Sequence, residues 1–122
     1  MIYRLKRNIE FRIVYRHGKS IANNLLVLYV LKNKKNKDKN EGSYNRVGIS
    51  VSKKVGNSVV RSRCKRLITE SYRIKTDNLK NGYDLIFVAR TNIKDKDYYQ
   101  VNKAVEGLLK KAGLYNNEKI SD

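Results

Sequence analysis

The sequence predicts one α+β or α/β domain built as a two-layer sandwich. Three observations carry that expectation. The chain has 122 residues, enough for one modest core and too short for two. Helical and strand patterns follow in the order helix, strand, strand, helix, strand, helix, with no internal repeat. Two of the strand patterns are apolar at nearly every position, as strands covered on both faces are.

Asn8 reads as the N-cap of a helix over IEFRIVYRH, with Ile9, Phe11, Ile13 and Val14 apolar and Gly18 as its stop. Phe11 and Tyr15, four apart, share a face. Leu25 to Leu31, LLVLYVL, reads as a central strand: Leu26, Leu28 and Val30 on one side, Leu25, Val27, Tyr29 and Leu31 on the other. Residues 32–45, KNKKNKDKNEGSYN, are polar and aperiodic, which predicts a solvated loop between strands; its basic run is equally consistent with a merely solvated loop and with one that touches a polyanion. RVGISVSKK, Arg46 to Lys54, alternates: Val47, Ile49 and Val51 one way, Arg46, Gly48, Ser50 and Ser52 the other. Asn57 or Ser58 caps the next helix, which runs to about Ile74. Asn81 and Gly82 turn into the strand YDLIFVAR. Asp95 or Asp97 then caps a last helix with a stripe of Val101, Val105, Leu108, Leu109 and Ala112, stopped by Gly113.

The charge narrows the function. Against 28 Lys and Arg stand 11 Asp and Glu, a formal net charge of +17 and a pI of about 10.1. Such an excess opposes compaction unless a polyanion neutralises it. A lysine- and asparagine-rich composition alone would spread cations evenly, whereas three of the ten arginines lie between Arg61 and Arg66. No apolar run approaches the ~18 residues of a membrane span, and the N-terminus, MIYRLKRNIEF, lacks the apolar core of a signal peptide. A cytoplasmic protein without a membrane partner is expected. Cys64 is the single cysteine and His17 the single histidine, so neither an internal disulfide nor a zinc set is available.

On the second helix Val60, Cys64, Leu67, Ile68 and Ser71 fall within an arc of about 100° that must face the sheet. Cys64 is then a packing residue; as a nucleophile it would need a base, and His17 lies on an element with no reason to approach. Arg61 and Lys65 flank one edge of this stripe. Arg63, Arg66 and Arg73 lie on the other side of the wheel, where Glu70 can pair with Arg66 or Arg73. One carboxylate cannot neutralise five cations. The guanidinium fork suits phosphate oxygens, and the helix N-terminus beside Lys53, Lys54 and Gly56 adds a second anion site. Both read a phosphodiester backbone rather than a base sequence. The acids are scattered and form no pair suited to metal-assisted or acid–base hydrolysis, so the protein alone is expected to be inactive, with no catalytic and no metal-ligating residue.

The run RVGISVSKKVGNSVVRSRCKRLITESYR, preceded by LKRNIEFRIVYRHG and followed by Leu114 and Tyr115, resembles the signature of the protein subunit of bacterial ribonuclease P. One position departs: the family's Arg-Asn-Arg is Arg61, Ser62, Arg63, and serine lacks the amide's paired donor and acceptor. The resemblance implies a two-layer α/β fold shared with a ribosomal protein domain, with a mostly antiparallel central sheet. It also implies a left-handed strand, helix, strand crossover around the basic helix, where the general rule is right-handed. A single domain over 1–115 and a flexible tail over 116–122 complete the expected organisation.

By the same resemblance the chain joins a catalytic RNA subunit, which uses Mg²⁺ to remove the 5′ leader from precursor tRNA; the protein itself holds no cofactor tightly and is a monomer when free. Arg61, Arg63, Lys65, Arg66 and Arg73 are implied to face the catalytic RNA. Phe11, Tyr15, Tyr29, Ser50, Ser52, Lys53, Lys54 and Tyr115 are implied to line the leader cleft, an arrangement of rings and cations that suits a single strand of any sequence. A non-enzymatic RNA-binding or ribosomal protein on the same scaffold needs the basic helix but no aromatic groove. A helix-turn-helix DNA binder needs a partner helix just before residue 57, where RVGISVSKK alternates as a strand.

Overall fold

The computed structural model describes residues 2–116. A short strand β1 (Tyr3–Arg4) leads into α1 (Asn8–His17), followed by the hairpin of β2 (Lys19–Ala22) and β3 (Leu26–Lys32) and a small ribbon of β4 (Lys37–Asp38) and β5 (Gly42–Ser43). Then come β6 (Arg46–Ser50), α2 (Ser58–Arg73), β7 (Tyr83–Ala89) and α3 (Tyr98–Lys111). The main sheet has the order β1-β6-β7-β3-β2. β3 pairs antiparallel with β2 and β7, and β6 pairs parallel with β1 and β7. The sheet is therefore mixed, with β7 at its centre rather than β3, which lies one place out. Parallel neighbours require a crossover, and α2 supplies the one between β6 and β7.

Alternation assigns the faces. Leu26, Leu28, Leu85, Phe87, Val47 and Val51 join Cys64, Ile68 and Tyr72 of α2 and Val101, Val105, Leu108 and Leu109 of α3 in the main core. The opposite face carries a smaller cluster of Leu5, Val14 and Ile86, against which Phe11, Tyr29, Leu31 and Val88 pack. The sandwich is thus sheet against α2 and α3, with α1 laid over part of the other face. Only Val14 of α1 is fully buried. Ile9 and Ile13, expected on its apolar side, are exposed because the helix meets the sheet along a narrow line through Val14 and Phe11.

The helix ends follow local chemistry. Asn57 caps α2, its side-chain oxygen accepting from Val60 N at 3.0 Å. Asp97 and Gln100 form a reciprocal capping box on α3, and Gly113, at φ +71°, ends it. Asn8 is the first helical residue of α1 rather than its cap; Arg7 occupies the cap, and the Glu10 carboxylate accepts from Lys6 N (2.7 Å) and Arg7 N (2.9 Å). Lys75 folds back onto the end of α2, donating to Ser71 O (3.0 Å) and Ser71 Oγ (3.2 Å) and to Asn102 of α3. It is buried, which lowers its pKa. Residues 117–122 of the expected tail lie outside the described residues, while Asn116 N donates to Asn78 O at 2.8 Å.

Candidate nucleic-acid interface

Three rows of side chains cross the sheet beneath and beside α1. Register places Arg46, Asp84 and Leu31 in the first row, Gly48, Ile86 and Tyr29 in the second, and Ser50, Val88 and Val27 in the third. Phe11 lies over the second row: a Cβ built on Gly48 would come within 2.6 Å of two Phe11 ring carbons, so the ring sits where only glycine leaves room. Tyr15 meets Tyr29 edge-on, centroids 4.9 Å apart at 84°, and lies 6.4 Å from Phe11. Ser50, Val88 and Val27 are each half-buried. The result is an apolar and aromatic floor beside one flank of α1.

Cations border that floor. Ser52, Lys53 and Lys54 follow β6 in an exposed turn closed by Val55 N donating to Ser52 O (3.0 Å). None of these side chains has a hydrogen-bond or ion-pair partner among the described residues.

The first row is a charged lock. Arg46 makes a bidentate contact with Asp84, Nε to Oδ1 and Nη2 to Oδ2, both 2.9 Å, and a third bond to Glu10 Oε2 at 2.9 Å. Asp84, buried in the central strand, also accepts from Asn36 Nδ2 (2.8 Å) and Asn33 Nδ2 (3.0 Å). Burial pushes the Asp84 pKa up, but the bonds from Arg46, Asn36 and Asn33 outweigh it and hold it below the carboxylate range. The backbone N–H groups of Arg7 and Lys6 lower that of Glu10, with a smaller contribution from Arg46. One guanidinium thus ties α1, β6 and β7 together, and Asp84 anchors the segment after β3. That segment is not wholly solvated as its polarity predicts: Asn36 is buried.

Sequence reasoning placed Arg46 only on a polar face and passed over Glu10, Asp84, Asn33 and Asn36 as partners. The available signal was Asp84 itself, an acid inside an apolar strand, which is stable there only when paired.

On the opposite side of the sheet, α2 buries Cys64 and Ile68 completely, and burial raises the Cys64 pKa. Lys65, Arg66 and Arg73 are exposed, and Glu70 pairs with Arg73 at 3.0 Å rather than with Arg66. Arg61 Nε donates to Gly56 O (3.2 Å), and Arg63 Nη2 to Lys96 O (2.9 Å). Arg63 therefore also bridges to the start of α3. Lys65 and Arg66 have no ion-pair partner among the described residues.

The structure brings Phe11, Tyr15, Tyr29 and Ser50 to one face, with Lys53 and Lys54 following the same strand. Tyr115 is not among them. It forms a bridge with Leu79 and packs against the main core beyond α3, because the chain leaving α3 pairs with the segment after α2. Among the described residues no three or more His, Cys, Asp or Glu side chains gather as a metal site, and Glu10 and Asp84 are both committed to Arg46. No helix among them is long and apolar enough to cross a membrane.

Comparison with known proteins gives this arrangement a family. Residues 2–113 match the family model for ribonuclease P. The ribonuclease P protein component of Clostridium beijerinckii is 62% identical over 100% of this chain and 98% of its own. That of Clostridium botulinum strain Alaska E43 is 65% identical over 97% of this chain and 94% of its own. Among solved structures, the Staphylococcus aureus RNase P protein superposes with a TM-score of 0.81 at 36% identity, covering 95% of this chain and 100% of that one. The Thermotoga maritima protein gives 0.76 at 27%, covering 88% and 96%. With a basic helix on one face, an aromatic floor on the other and relatives that match end to end, the chain belongs to the bacterial ribonuclease P protein family, the protein subunit of an endoribonuclease whose catalyst is RNA.

Proposed function

We propose that the two faces of the sheet divide the work of this subunit. The face of α2 bearing Arg61, Arg63, Lys65, Arg66 and Arg73 docks on the RNA subunit. The floor of Phe11, Tyr15, Tyr29 and Ser50, with Ser52, Lys53 and Lys54 beside it, holds the single-stranded 5′ leader of precursor tRNA. The observation that carries this reading is the placement of three aromatic rings on the sheet face opposite the arginine helix, with an exposed basic turn continuing from the strand that carries Ser50. Bases stack on rings in any sequence while phosphates find the cations. Tyr115, on the other layer, is left out of the leader site.

The chemistry of cleavage belongs to the RNA, with Mg²⁺ held by RNA and substrate; among the described residues no three or more His, Cys, Asp or Glu side chains gather where a metal could sit. The chain's contribution is binding free energy: it fixes the leader and neutralises phosphates near the catalytic RNA. Net like charge keeps free copies apart as monomers, and the subunit works in the cytoplasm, where precursor tRNA is made.

Reconstitution tests the assignment. Purified protein, cognate RNA subunit and precursor tRNA at low Mg²⁺ are expected to cleave faster than RNA alone, and cleavage no better with protein than without it sinks the reading. The docking helix has its own measurement. Arg66→Ala is expected to weaken RNA-subunit binding and to flatten the slope of log affinity against log salt by about 0.7 to 0.9 per lost phosphate contact. Arg63→Ala also loses the tie to Lys96 O, so its effect combines docking with the seating of α3. An unchanged slope in Arg66→Ala removes that residue from the phosphate contacts.

A further inference from the structure

The leader floor uses one flank of α1 and leaves the rest of that helix unexplained. Going round the helix at 100° per residue from the buried Val14, Phe11 and Tyr15 fall on the flank toward the floor, Arg12 and Arg16 on the crest, and Ile9 and Ile13 on the far flank. Ile9 and Ile13 are each 45% exposed, and Arg12 and Arg16 are exposed. The two isoleucines border a groove of about 540 Å³ between α1 and the segment after β3, whose lining includes Leu31, Arg7, Lys32 and Lys35. Arg7, Arg12, Arg16, Lys32 and Lys35 make no ion pair among the described residues. The acids in the groove, Glu10 and Asp84, are both engaged by Arg46.

We propose that this far groove is a second single-strand site: the leader passes from the aromatic floor over the arginine crest of α1, and its distal nucleotides lie against Ile9 and Ile13. The inference rests on the leader reading above and extends it. Charge selects the occupant. Every unpaired charge that lines the groove, Arg7, Lys32 and Lys35, is positive, on a chain of net charge +17, which repels a second copy and attracts a polyanion. Phosphates meet Arg12, Arg16, Lys32 and Lys35, while base and sugar faces cover the isoleucines. Position selects the strand. The docking helix α2 packs on the opposite side of the sheet, so the RNA that reaches α1 is the leader already held there.

The test measures binding of the assembled holoenzyme to precursor tRNAs whose leaders grow one nucleotide at a time. Parent protein gains affinity in two stages, one for the floor and one for the far groove. Ile13→Glu, at an exposed position, is expected to bind the shortest leaders as the parent does and the longest about tenfold more weakly, the scale of one lost stacking contact. The double variant Lys32→Ala, Lys35→Ala is expected to lose the second stage and its share of the salt dependence. Tyr29→Ala serves as the reference, since it must weaken the first stage. If Tyr29→Ala loses the first stage and neither groove variant changes the second, the far site is wrong and the leader reading stands. A loss in the groove variants that is equal at every leader length, mature tRNA included, also overturns it. If Tyr29→Ala is silent at all lengths, the leader reading itself fails.

Discussion

Arg46→Met is expected to destabilise the protein by about 3–5 kcal/mol, the cost of stranding a buried carboxylate by removing its partner. Asp84 keeps only the amide donors of Asn33 and Asn36, and α1 loses its bond to the sheet through Glu10. A urea midpoint shift with unchanged slope measures it. Acid supplies an internal check. In the parent both carboxyls titrate below their ordinary values of 4.5 for Glu10 and 3.8 for Asp84. Their contribution is therefore complete above those values and is lost as pH falls through the lower folded ones. In the variant the unpaired Asp84 has no such contribution to lose, and its protonation relieves the buried charge. The gap between parent and variant should narrow in acid, and a gap constant across that range argues against the lock. The companion Asp84→Asn, Arg46→Met should recover part of the loss, because neither residue is then left charged.

Tyr29→Ala is expected to weaken holoenzyme binding to precursor tRNA by about tenfold, from the ~1 to 3 kcal/mol a stacked base is worth, with mature tRNA nearly unaffected. The ring is half-buried and its neighbours are Tyr15 and the second row of the sheet, so the free protein should remain folded. Titration of both RNAs against the assembled enzyme decides the matter. Equal losses on the two would take Tyr29 out of the leader site.

Much of this architecture is legible because local pattern carries it. β6 shows its two faces in RVGISVS, α2 its cap at Asn57 and its stripe through Cys64 and Ile68, and α3 its cap at Asp97. What the pattern does not carry is partnership at a distance. β1 exists only because Tyr3 and Arg4 pair with Arg46 and Val47, and β2, the sequence KSIA, has no strand signal of its own beyond its pairing with β3. Asn36 lies in a lysine-rich stretch that reads as solvent, yet Asp84, far along the chain, draws it inside. On α1 the apolar positions are visible, but which of them are covered depends on the angle at which the helix crosses the sheet. That angle follows from Gly48 and the Arg46 lock, which is why Ile9 and Ile13 emerge on the surface. The basic face of α2 was readable from the residues themselves, whereas the floor residues and Tyr115 were implied by the family resemblance alone; the bridge that sets Tyr115 beside Leu79 leaves no mark in the local pattern.

Cys64 has a practical consequence. It is the protein's single thiol, fully enclosed by α2 and the sheet, and its raised pKa leaves little thiolate at neutral pH. The wild-type chain is thus already a silent background for cysteine chemistry. A cysteine introduced on an exposed flank of α1 becomes the one reactive sulfur, able to carry a dye or a photoreactive group without any prior removal of Cys64. The same residue that fills a gap between helix and sheet lets each RNA path be traced on an otherwise unaltered protein.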